Sequence, residues 1–110
     1  MEHEEIAFSV DVATADDGCV VVAPKGELDM ATQAQLREAL ERAAAENRAV
    51  TLDLGGLRFL DTSGLRLILE TAEASRRDGF MFSVRPGSDP VQRLFEIAGV
   101  SDLVPFDDRA

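Results

Sequence analysis

The spacing of apolar residues changes period repeatedly along this chain, and each change restricts what the next segment can become. Ile6, Phe8, Val10 and Val12 recur at every second position, with Ala7, Ser9, Asp11 and Ala13 between them, which predicts a strand with one apolar face. Asp16-Asp17-Gly18 carries turn chemistry and Cys19 to Ala23 reads as a second strand, so the chain opens with a hairpin. Pro24-Lys25-Gly26-Glu27-Leu28-Asp29 reads as a connector. Asp29 suits the N-cap of a helix from about Ala31 to Glu46, with Leu36, Leu40, Ala43 and Ala44 on one stripe.

The alternation then repeats. Val50, Leu52 and Leu54 alternate with Thr51 and Asp53 as a third strand, and Leu65 to Arg76 reads as a helix burying Leu65, Ile68, Leu69 and Ala72. Phe80, Phe82 and Val84 follow the Asp78-Gly79 turn as a fourth strand. Ser88-Asp89-Pro90 starts a helix carrying Val91, Leu94, Phe95 and Ala98, which stops at Gly99. Leu103 to Phe106 predicts a short strand, confined to a sheet edge by Pro105. A hairpin followed by strand–helix alternation predicts an α/β fold with a mixed, largely parallel sheet of four to five strands. Clean alternation at 6–12 and 50–54 places the helices mainly on one face, because strands buried on both faces would be apolar throughout.

Composition bounds the function classes. A chain of 110 residues with 45% hydrophobic residues suits one core, hence a single domain over 1–110 with residues 1–4 as a frayed start. The net charge of −10 argues against nucleic-acid and anionic-membrane partners, which would repel it. Cys19 and His3 are the only cysteine and histidine, so zinc-hydrolase, Cys-His and Ser-His-Asp chemistry all lack their parts, and no cofactor or metal is expected. No apolar run reaches membrane-spanning length, and the acidic Met-Glu-His-Glu-Glu start is unlike a secretory signal; a cytoplasmic location is expected.

One junction stands out chemically. Arg58-Phe59-Leu60-Asp61-Thr62-Ser63-Gly64-Leu65 sets two hydroxyls beside a carboxylate where a helix begins. Backbone N–H groups lack partners there and the helix dipole is positive, so added negative charge is tolerated by the fold. Asp, Thr and Ser are also ordinary cap residues, but one cap suffices and three polar groups are present. A second acidic loop, Gly26-Glu27-Leu28-Asp29, also sits where a strand gives way to a helix. Adjacent parallel strands would bring both connections to one sheet edge, where open α/β sheets bind partners. Leu28, Asp29 and Met30 on one loop, with Asp61, Ser63 and Gly64 on the other, are the expected docking residues. Leu67 lies about two residues off the apolar stripe and is expected to point outward beside them.

These segments together resemble the anti-sigma factor antagonists with the STAS fold. The resemblance runs through Gly26-Glu27-Leu28-Asp29, Leu52-Asp53-Leu54, Phe59 to Leu65, and Val91-Gln92-Arg93-Leu94-Phe95-Glu96-Ile97-Ala98-Gly99, in the family's order and at similar spacing. It implies a binding module rather than an enzyme. In unmodified form such a protein binds an anti-sigma factor, itself a serine/threonine kinase of the histidine-kinase-like ATPase type, and so frees the sigma factor. The kinase phosphorylates and releases the antagonist, and a metal-dependent phosphatase restores it. The family's acceptor is the hydroxyl residue directly after the Asp, which maps onto Thr62. Many relatives carry Ser there, which leaves Ser63 as a rival acceptor. Asp29 matches the family's second acidic position.

Rival classes meet specific obstacles. A two-component receiver domain would use Asp53 at its strand end, but needs an acidic pair closing the first strand and a lysine after the last. Asp16-Asp17 falls in a turn, and residues 103–110 contain no lysine. STAS domains also resemble subunits of lipid-transport complexes and stress-signalling scaffolds, in which the hydroxyl is idle. An enzyme would need a general base, and none is identifiable.

Overall fold

The computed structural model describes residues 7–14 and 17–107. Ile6, His3, the acidic start and Asp16 lie outside the described residues. The elements are β1 (Ser9–Thr14), β2 (Cys19–Leu28), α1 (Gln33–Glu46), β3 (Ala49–Asp53), β4 (Leu57–Leu60), α2 (Thr62–Asp78), β5 (Met81–Arg85) and α3 (Asp89–Ala98), followed by a 3-10 turn, Ser101–Leu103.

The sheet is mixed and largely parallel, as the alternation predicts. Its order is β1-β2-β3-β5, with β4 also paired to β2. β1 and β2 are antiparallel; β2–β3, β2–β4 and β3–β5 are parallel. Val20, Val22, Val50, Leu52, Phe82 and Val84 are buried on one face against the helices. The intervening Val21, Thr51 and Ser83 are only half-buried, and Thr51 and Ser83 hydroxyls share a 3.1 Å hydrogen bond across the open face. Asp53 ends β3 on that face, where Oδ1 accepts from the Gly55 N–H at 2.9 Å and Oδ2 lies 3.5 Å from Arg85 Nη1.

Three local expectations are corrected. The connector at 24–29 is mostly strand, because β2 runs on to Leu28 and pairs with a strand missed from the sequence, β4. Gly26, at φ +105°, permits the register shift between Gly26 and Glu27 that lets one strand serve both partners. The apolar face of β1 is poorly covered: Val10 is half-buried and Val12 is 54% exposed, since β1 is an edge strand. Residues 103–106 form no strand. After the 3-10 turn a single parallel bridge joins Phe106 to Val84, with Val84 N–H donating to Pro105 O. Phe106 also stands edge-on to Phe95, ring centroids 5.1 Å apart, which anchors the tail on α3.

Helix ends follow local chemistry. Gly79 and Gly99 terminate α2 and α3 in the left-handed conformation, at φ +87° and +73°. Among the described residues no helix is long and apolar enough to cross a membrane.

Candidate functional site

β4 delivers the chain to Asp61, whose backbone is extended and whose N–H donates to Leu28 O at 3.1 Å. The end of β2 and the head of α2 are therefore joined by main chain. Asp61 Oδ1 accepts from Ser63 N–H (2.9 Å), Gly64 N–H (3.1 Å) and the Ser63 hydroxyl (2.7 Å). It is the N-cap that the helix start requires. Burial raises the carboxyl's pKa and is the largest single influence. The Ser63 hydroxyl, the N–H groups of Gly64 and Ser63, and the nearby Met30 N–H together outweigh it, so Asp61 lies below the ordinary value of 3.8. The group is firmly anionic.

The second acidic loop folds on itself before α1. Asp29 Oδ1 accepts from Ala31 N–H (2.9 Å) and Thr32 N–H (3.2 Å). Asp29 thus caps a turn, and Thr32, not Asp29, is the N-cap of a helix that begins at Gln33 rather than Ala31. Thr32 Oγ1 also donates to Glu27 O at 2.8 Å, which pins the loop to the end of β2. Met30 protrudes from this loop with 78% of its surface exposed. The Asp61 N–H bond to Leu28 O, at 3.1 Å, brings the two acidic loops together.

The two hydroxyls of the junction differ in environment. Thr62 is exposed, and its side chain makes no hydrogen bond among the described residues. Ser63 is half-buried and its hydroxyl is engaged by Asp61.

Three expected docking residues are turned inward. Leu28 is fully buried, because it faces the helix-covered side of β2. Gly64 is buried against it: a Cβ at this position would meet Leu60 Cδ1 at 2.6 Å and Leu28 Cγ at 2.7 Å. Its role is to let α2 approach the sheet. Leu67 is only 2% exposed, contrary to its expected outward position. α2 packs on α1 as well as on the sheet, so its buried arc widens toward Leu67 while Leu69 is left half-buried. Leu67 lines a groove of about 760 Å³ between α1 and α2, together with Leu40, Thr71 and Phe80, bridged by the 2.9 Å Arg37–Glu70 ion pair. None of Asp29, Met30, Asp61 or Thr62 lines that groove. Phe59 was not among the expected docking residues. It is 48% exposed on β4, opposite Glu27 and two residues before Asp61, and only strand pairing reveals it as surface.

A sequence profile described as "Mlab, STAS domain" matches residues 12–105. The chain belongs to the STAS-domain family. An anti-sigma F factor antagonist from Paenibacillus polymyxa is 33% identical over 95 residues, a match covering 83% of this STAS domain and 80% of the relative. The crystal structure of an anti-sigma factor antagonist from Mycobacterium paratuberculosis matches with a TM-score of 0.80 and 27% identity, over 91% of this chain and 85% of the other. The Bacillus cell fate determinant SpoIIAA in its phosphorylated form has the same fold, with a TM-score of 0.66 and 21% identity over 94% and 93% of the two chains. In this STAS domain the profile match takes in both acidic loops and helices α1, α2 and α3.

Proposed function

We propose that this STAS domain, as one unit over residues 1–110, is an anti-sigma factor antagonist whose binding is switched by phosphorylation of Thr62. The observation that carries the reading is the exposed, unbonded Thr62 hydroxyl directly after the anionic cap Asp61. The relatives named above, and the existence of SpoIIAA in a phosphorylated form, support it. Unmodified, the protein docks on an anti-sigma factor serine/threonine kinase of the histidine-kinase-like ATPase type through Asp29, Met30, Phe59, Asp61 and the helix head. The kinase passes the γ-phosphoryl group of ATP to Thr62 Oγ1, with release of ADP and the hydroxyl proton. A metal-dependent phosphatase reverses the step, and the whole cycle is cytoplasmic. The chain acts as binding module and substrate, not as catalyst.

The switch is electrostatic. Phosphate adds about −1.5 to −2 charges at the centre of a contact that already holds Asp61. A penalty of roughly 3 kcal/mol weakens binding about a hundredfold. The free protein keeps its fold, since the head of α2 tolerates negative charge.

Incubation with candidate partner kinases and ATP, followed by peptide mass spectrometry, tests the reading. One phosphoryl group is expected on Thr62 and none on Thr62→Ala. Thr62→Ala should bind the kinase as wild type does, and Thr62→Glu should bind poorly. Equal affinity of wild type and Thr62→Glu refutes the electrostatic switch. No phosphate with any partner kinase would favour a scaffold or lipid-transport role with an idle hydroxyl.

A further inference from the structure

Thr62 and Arg66 stand one helical turn apart on the exposed arc of α2. Side chains at this spacing have Cβ atoms about 5–6 Å apart and lean toward the helix N-terminus, which carries Arg66 back over Thr62. Among the described residues the Arg66 side chain takes part in no ion pair or hydrogen bond. Its other neighbour one turn away, Glu70, is already held by Arg37 at 2.9 Å. Asp61, the cap of the same helix, has Oδ1 occupied by three donors. From Thr62 to Ala72, Arg66 is the single basic residue of α2.

We propose that Arg66 is a phosphate clamp: once Thr62 is phosphorylated, the Arg66 guanidinium pairs with the phosphoryl oxygens across one turn of α2. The planar guanidinium suits this task, since it matches two phosphate oxygens at once. The clamp has two consequences. It offsets the repulsion between the new dianion and Asp61, which keeps the head of α2 folded in the modified form. It also withdraws a free cation from the surface flanking Thr62, so modification adds negative charge and masks positive charge in one step. The biological meaning of the clamp rests on Thr62 being the acceptor, whereas its measurement does not.

Phosphothreonine installed at position 62 during translation, by an expanded genetic code, removes any need for a kinase. Titration followed by phosphorus NMR then reads the second ionisation of the phosphate. A nearby cation favours the dianion, so the wild-type midpoint should lie about 0.2–0.4 units below that of Arg66→Gln at low salt. In 1 M NaCl, where the Debye length is about 3 Å, the gap should close. Arg58→Gln, which removes the exposed cation of β4, should titrate as wild type. Arg66 is exposed, so the exchange leaves the core intact. Equal midpoints in wild type and Arg66→Gln overturn the clamp, as does a shift that follows Arg58 instead. A normal clamp shift in a protein that no kinase labels would remove the acceptor role and leave the ion pair standing.

Discussion

The Ser63 hydroxyl donates to Asp61 Oδ1 at 2.7 Å, and this bond makes the two hydroxyls at the head of α2 chemically unequal. Ser63 is a structural partner of the cap. Thr62, one residue earlier, has a side chain left to solvent. Replacing Ser63 with Ala should cost about 0.5–1.5 kcal/mol of stability, the net worth of one such hydrogen bond. Phosphorylation by the partner kinase should persist. Urea unfolding and peptide mapping check both halves, and labelling abolished in Ser63→Ala but kept in Thr62→Ala would reverse the assignment.

Asp61 links the helix cap to pH. Its folded-state pKa lies below 3.8, so the unfolded chain binds more protons in the interval between the two values, and stability rises with pH there. The contribution is fully present above the unfolded value and is lost as pH falls through the lower folded one. Asp61→Asn keeps a good cap without the charge and should lack this component of acid sensitivity. Asp61→Ala should lose about 0.5–2 kcal/mol even at neutral pH. Melting temperatures of the three proteins between neutral pH and strong acid test the sign. A wild type no more acid-sensitive than Asp61→Asn over that interval would contradict it.

Gly64 is required by proximity, not by backbone conformation. A methyl group there meets Leu60 and Leu28 side chains at 2.6–2.8 Å, closer than carbon atoms sit. Gly64→Ala should push α2 off the sheet and destabilise the protein by about 1–3 kcal/mol. Chemical denaturation measures this directly, and an unchanged midpoint would show that α2 has slack the structure does not display.

Leu67 and Met30 are opposite cases. Leu67→Ala empties a site 2% exposed between α1 and α2, and should cost about 2–5 kcal/mol in unfolding free energy. Met30→Ala removes a side chain 78% exposed and should stay within about 0.5 kcal/mol of wild type. Kinase affinity should respond in the reverse order, falling for Met30→Ala and holding for whatever fraction of Leu67→Ala is folded. Calorimetry and a binding titration on the same two preparations decide it.

The periods of two and 3.6 were sufficient to read the α/β class, the three helices and the strands at β2, β3 and β5 from the sequence, because each of those segments buries a face wide enough to impose a pattern. A cap among Asp61, Thr62 and Ser63 was equally legible, since an unpaired helix start demands a local acceptor. β4 was not. It is four residues long, its outer positions buried and its middle ones exposed, and it pairs with β2 across the register shift at Gly26 and Glu27. The burial of Leu67 depends on α1 lying alongside α2, a contact between segments some thirty residues apart that no periodicity within α2 encodes. The inequality of Thr62 and Ser63 was undecided for a related reason: both are hydroxyls at a helix start, and the cap's geometry selects which one Asp61 engages. Local patterns therefore determined which segments form and where the polar junction lies. Tertiary packing decided which of its side chains remain at the surface, because exposure depends on what other segments cover.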